Sequence, residues 1–130
     1  GKAEEIAISQ YSKGADIIYH ASGLSGIGLF KAAKVNKKLA IGVDLNQYEE
    51  APGFVLTSMV KIVDEVIYQT ISDLKNGTFK SGIKSLGLKE KGVGYVYDDN
   101  NKNLITEETK KKVDEIMNKI ISGEIKVSAE

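Results

Sequence analysis

Short apolar runs of strand length alternate with segments of helical periodicity, and this alternation constrains the fold more than any other feature of the chain. A parallel strand covered on both faces reads as a nearly continuous apolar run. "DIIYHA", "KLAIGVDL" and "GFVLTSM", the last following a Pro52–Gly53 turn, have that character and predict three buried strands. "AEEIAISQYSKGAD" sets Ala3, Ile6, Ala7 and Tyr11 on one helical face and ends at Gly14, a residue suited to the left-handed position after a helix. "SGIGLFKAAKV" predicts a second helix with Ile27, Phe30 and Ala33 inward and Ser25 as its N-cap. A longer helix carries the stripe Val63, Val66, Ile67, Ile71 and Leu74 and stops at Gly77. "GVGYVY" alternates as a strand and "DDNNKN" is a polar turn. Thr106 is placed to cap a last helix bearing Val113, Ile116, Met117, Ile120 and Ile121, and "EIKVS" predicts a short terminal strand. Such alternation defines the α/β class, a parallel open sheet flanked by helices.

Composition excludes more than it assigns. The chain has 18 Lys and Arg against 18 Asp and Glu, so no basic surface for nucleic acid or for anionic lipid emerges. Its longest basic run, Lys110 to Lys112, stands among Glu107, Glu108, Asp114 and Glu115 and reads as a solvated helix face. Without cysteine there is no disulfide, thiolate metal site or thiol nucleophile. No apolar run reaches membrane-spanning length, and no signal-peptide pattern opens the chain. His20, the single histidine, has no ligand-spaced partner and reads as a packed or hydrogen-bonded residue. Neither Ser22 nor Ser25 lies in a nucleophile elbow. Glu4–Glu5 and Glu107–Glu108 sit at helix starts, where the dipole accounts for them. No catalytic residue, metal ligand or cofactor motif results.

Three polar points remain. Ligands of parallel α/β sheets bind beyond the carboxyl ends of strands, where loops lead into helices. The loop from Ser22 to Gly28 is such a place, yet its glycines (Gly23, Gly26, Gly28) are spaced unlike a dinucleotide fingerprint, and no Lys-Ser/Thr follows as in a phosphate loop. A tight strand-to-helix turn explains it equally well. Asp44 ends a strand, where a carboxylate either accepts two hydrogen bonds from a vicinal diol or caps a turn. Lys61 follows another strand at the start of the long helix, where a cation opposes the dipole and is either compensated by a partner or simply solvated.

The segments "GADIIYHASGLSGIGLFKAAK", "AIGVDLNQ", "APGFVLTSMVKIVDEVIYQTISDLKNGTF" and "GLKEKGVGYV", in this order and spacing, resemble the C-terminal part of one family. It is the basic membrane protein family of substrate-binding lipoproteins, the purine nucleoside receptor type serving bacterial ABC transporters. "LTSMVK" after "GVD" is the most specific part of the resemblance. The resemblance implies a two-lobe, type I periplasmic binding protein-like fold that closes on a nucleoside. Residues 1–130 would then be its C-terminal segment, with the N-terminal lobe, signal peptide and lipid-anchor cysteine absent. Gly23 matches the glycine whose backbone faces the sugar, Asp44 the aspartate that takes the ribose hydroxyls, and Lys61 the lysine at the cleft. The aromatic residues that sandwich the purine would belong to other parts. Leu45–Asn46 stands where the family often has a second acidic residue, and Leu24 where glycine is common.

The resemblance further implies an extracytoplasmic protein with no enzymatic activity and no cofactor. Its partners would be a purine nucleoside and an ABC permease, with no nucleic acid, and the membrane would be reached only through a lipid anchor outside this chain. A segment lacking its other lobe would expose apolar surface suited to a dimer. Two alternatives stand beside this reading: a ligand-sensing regulatory protein of the same family, and a small flavodoxin-like or Rossmann-like enzyme, which would need the phosphate motif that the loop lacks.

Overall fold

A computed structural model describes residues 1–128. Helix α1 (Lys2–Ser12) leads into strand β1 (Ile17–Tyr19), a 3-10 turn over Gly23–Gly26 and helix α2 (Ile27–Asn36). Strand β2 (Leu39–Gly42), a second 3-10 turn (Tyr48–Glu50), strand β3 (Val55–Lys61) and helix α3 (Val63–Lys75) follow. Strand β4 (Val93–Tyr95) and helix α4 (Glu107–Ser122) complete the order. The strands form one sheet in the order β1-β2-β3-β4, with β1 and β2 parallel and β2 and β3 parallel.

The predicted parallel sheet is thus present in its first three strands, and the fourth adds a different direction. The amide of Ile62 donates to Gly92 O and that of Val96 to Ser58 O, the reciprocal register of an antiparallel pair. Side-chain alternation identifies a strand but does not encode its direction. The register of β2 on β3 slips between Ala40 and Ile41, leaving Leu56 as the extra residue of a bulge. Its carbonyl is taken by the Asn101 side-chain amide at 2.9 Å, which also donates to Val96 O at 2.8 Å.

The chain divides into two compact units. The first comprises Gly1–Val60 and Tyr95–Glu107; the second comprises Lys61–Gly94 and the residues from Glu108 on. The first unit holds the core, in which Tyr11 of α1, Leu29, Phe30 and Ala33 of α2, Ala40 of β2 and Val55 of β3 are buried together. Full burial of one such large side chain contributes about 1.5–3 kcal/mol. Gly28 lets α2 approach α1 so closely that a Cβ there would lie 2.8 Å from the Glu4 backbone nitrogen. Tyr11 donates its hydroxyl to Leu39 O at 2.8 Å, and burial pushes its pKa up to about 12.

Both predicted glycine stops take the same form. Gly14 has φ +101°; its amide bonds to Tyr11 O and that of Ala15 to Gln10 O. Gly77 has φ +68°, with its amide on Leu74 O and that of Thr78 on Asp73 O. These are Schellman motifs, which need a residue free to adopt left-handed φ.

Several expectations are corrected. Strand β1 is not buried: it is the sheet's edge, with Ile17 and Tyr19 exposed. Ser25 lies inside the 3-10 turn, Gly26 occupies the N-cap of α2, and Ile27 is exposed, so the turn shifts the helix start and rotates its inner face to Leu29, Phe30, Ala32 and Ala33. Residues 124–128 form no strand. In the second unit α3 carries the predicted apolar stripe, but Val63, Ile67, Ile71 and Leu74 remain more than half exposed. Its Val66–Thr70–Asp73 side instead faces Lys84 and Leu86, where Lys84 pairs with Asp73 at 3.7 Å and stands over the Phe79 ring.

Candidate functional site

The parallel register fixes where the sequence-predicted residues fall. Tyr19 pairs with Ile41, so β1 and β2 end on the same side, and the loops that leave them carry Gly23 and Asp44. Gly23 opens the 3-10 turn in a left-handed conformation, φ +52°, and is exposed. Asp44 is also exposed and is one of few non-glycine residues with positive φ, at 73°. That backbone region is tolerated by Asp but sparsely populated. Lys61 is the exposed last residue of β3 and belongs to the second unit. The first two residues therefore occupy neighbouring loops of one unit, and the third lies in the other.

Beneath Gly23 and Asp44 lies a polar network that the sequence only partly discloses. The Ser22 amide donates to His20 Nδ1 at 3.3 Å, and His20 Nε2 faces Gln47 Oε1 at 3.2 Å. Gln47 Oε1 also accepts the Val43 amide at 2.8 Å, and the Gln47 amide donates to Ser58 Oγ at 3.1 Å. A backbone amide only donates, so Nδ1 is the acceptor and the proton sits on Nε2, directed at an oxygen that only accepts. His20 and Ser58 are buried, and the imidazole meets the Phe30 ring edge-on at 5.4 Å between centroids.

Two glycines make room for this arrangement. A Cβ on Gly26 would lie 2.1 Å from His20 Cε1, and one on Gly42 would lie 2.5 Å from Ser58 Oγ. His20 is thus packed and hydrogen-bonded, as the lack of ligand-spaced partners implies. Gln47 and Ser58 were not legible as site residues, because an uncharged side chain four positions beyond Val43 or within a strand carries no spacing signature. Among the described residues no three His, Cys, Asp or Glu side chains group closely enough to hold a metal ion.

The first unit thus presents two exposed loops beyond the carboxyl ends of adjoining parallel strands, joined by hydrogen bonds through His20 and Gln47. Comparison with known proteins gives the family. Residues 1–130 match the family described as "ABC transporter substrate-binding protein PnrA-like", and the chain belongs to it. Basic membrane protein A of Borreliella afzelii is 40% identical over 124 residues, covering 92% of this chain and 37% of that protein. The "CD4+ T-cell-stimulating antigen" of Listeria monocytogenes is 36% identical over 143 residues, covering 97% of this chain and 39% of its own length. The chain therefore spans under two fifths of these curated relatives.

Among solved structures, an ABC transporter solute-binding protein from Aeropyrum pernix K1 superposes with a TM-score of 0.79 at 26% identity, covering 98% of this chain and 44% of that one. A transcriptional activator of the comK gene from Bacillus halodurans reaches a TM-score of 0.82 at 20% identity, covering 92% and 41%, and shares the fold alone. The family and the solute-binding neighbours are proteins that bind solutes rather than enzymes.

Proposed function

We propose that this chain is the C-terminal segment of a two-lobe receptor that binds a purine nucleoside outside the cytoplasm and delivers it to an ABC permease. The observation that carries the reading is the position of Gly23 and Asp44 in loops leaving the same end of adjoining parallel strands, within a chain that its family matches throughout. An exposed carboxylate at a strand end is suited to accept both hydroxyls of a ribose, and a glycine opposite lets the sugar approach the backbone. Lys61, the last residue of β3, joins them as a ligand residue on the strength of the family resemblance alone. A lipoprotein of Pyrococcus abyssi, 40% identical over 95 residues, supports an anchored, extracytoplasmic setting. No described helix is long and apolar enough to cross a membrane, so in this reading a lipid outside these residues makes the attachment.

The test is calorimetric titration of the native-length protein with guanosine, adenosine, inosine and ribose. At least one purine nucleoside should bind at micromolar concentration and lose affinity when its 2′-hydroxyl is removed. Binding of ribose alone as tightly as any nucleoside, or of none of the four, would discard the reading.

A further inference from the structure

We propose that His20 is a positioning residue that locks the Gly23 loop to the Asp44 loop through Gln47. Two of the three amides that the network holds belong to Ser22 and Val43, the residues immediately before Gly23 and Asp44. One uncharged path, from Ser22 N–H through the imidazole to Gln47 Oε1 and back to Val43 N–H, therefore fixes both loops at their roots. The Gln47 amide on Ser58 Oγ ties the path to β3. The inference rests on the ligand reading above for its consequence, but the lock itself does not.

The lock needs an acceptor at Nδ1 toward the Ser22 amide and a donor at Nε2 toward Gln47 Oε1. The cavity of about 240 Å³ beside His20 shows it Ala3, Ile6 and Gln10 from α1 and Leu29 from α2, and the ring edge meets Phe30. Tyr19 of β1 is the one other titratable side chain among the cavity's described lining residues, and none of them carries a formal charge.

The experiment compares the native-length protein with His20→Phe, which keeps a ring but can neither accept from Ser22 nor donate to Gln47, and Gln47→Met, which keeps the volume but removes the carboxamide oxygen. Two readouts are taken: guanosine affinity by calorimetry, and amide hydrogen exchange at Ser22 and Val43 at the same pH. His20→Phe should bind guanosine about five- to tenfold more weakly than the wild type, the loss of one to two hydrogen bonds. Exchange at Val43 should quicken about fivefold or more in His20→Phe, although position 20 lies on the other loop, and exchange at Ser22 should quicken in Gln47→Met. Unchanged exchange on the far loop in both variants would overturn the lock. If His20→Phe does not fold, exchange at Ser22 in Gln47→Met decides. If the wild type binds no nucleoside, the ligand reading falls while the exchange data still judge the lock.

Discussion

Replacing Gly26 by Ala tests the tight contact between α2 and His20 beneath the Gly23 loop. The backbone there is right-handed, φ −60° and ψ −21°, so alanine meets no conformational barrier and any cost comes from space. The new Cβ would stand 2.1 Å from His20 Cε1, 2.5 Å from Nδ1 and 2.7 Å from Nε2. Ordinary carbon contacts lie at about 3.5–4.0 Å, so the ring must retreat by more than about 1 Å. It cannot do so and keep its bonds to the Ser22 amide and Gln47 or its edge contact with Phe30. Each hydrogen bond contributes about 0.5–1.5 kcal/mol, and the ring pair a similar amount. The lower entropy of the unfolded alanine chain offsets about 0.4–1 kcal/mol. The net loss is about 2 kcal/mol, or roughly 8 °C in Tm for a chain of this size. Urea denaturation followed by circular dichroism measures it, in the wild type and in a His20→Ala background. Without the ring, Gly26→Ala should be neutral or stabilising. An equal cost in both backgrounds, or a cost below about 0.5 kcal/mol in the wild type, would refute the steric argument.

Further outcomes follow from the same geometry. In the native-length protein Asp44→Ala should weaken nucleoside binding by about 2–4 kcal/mol, thirty- to a thousand-fold, against about 1–2 kcal/mol for Lys61→Ala, by calorimetry. The preference for ribo- over 2′-deoxynucleosides should shrink once Asp44 is gone; an Asp44→Ala affinity within about twofold of wild type would return that residue to a turn role. Phe30→Ala empties a site only 1% exposed and should cost about 3–5 kcal/mol in urea denaturation. Tyr11 holds its proton more tightly when folded, at about 12 rather than 10.0, so its stabilisation is complete below pH 10 and lost as pH rises through 12. That decline amounts to about 2–3 kcal/mol, and it should be missing in Tyr11→Phe, which at neutral pH costs about 1 kcal/mol. Alkaline unfolding followed by circular dichroism and tyrosinate absorbance checks both.

The legible parts of the fold are those written in local chemistry. Gly14 and Gly77 stop helices because their φ values demand glycine, and Pro52–Gly53 turns the chain with Gly53 at φ +83° and the Phe54 amide on Ala51 O. Gly23 and Asp44 could be placed at strand ends because apolar runs mark where parallel strands stop. What escaped depends on partners distant in sequence. The direction of β4 is set by its pairing with β3, and the exposure of β1 by its position at the sheet's edge. Periodicity marks the apolar stripe of α3 but not what covers it. Ser25 has the chemistry of an N-cap, yet the 3-10 turn passes that position to Gly26. Gln47 draws its importance from His20, 27 residues away, and no short-range pattern reports such a bond.

The path from His20 through Gln47 to Ser58 contains no formal charge, and ionic strength therefore acts unevenly on the molecule. On α4, Lys112 pairs with Glu108 and Lys110 with Asp114 at the surface, contacts worth about 0.3–0.5 kcal/mol each in dilute buffer. At molar salt the Debye length falls to about 3 Å and such pairs fade. The imidazole, the carboxamide, the serine hydroxyl and the backbone amides between β1 and β3 have nothing for counterions to screen. Salt should loosen the first turns of α4 long before it disturbs this path, which keeps its geometry in brine as in fresh water.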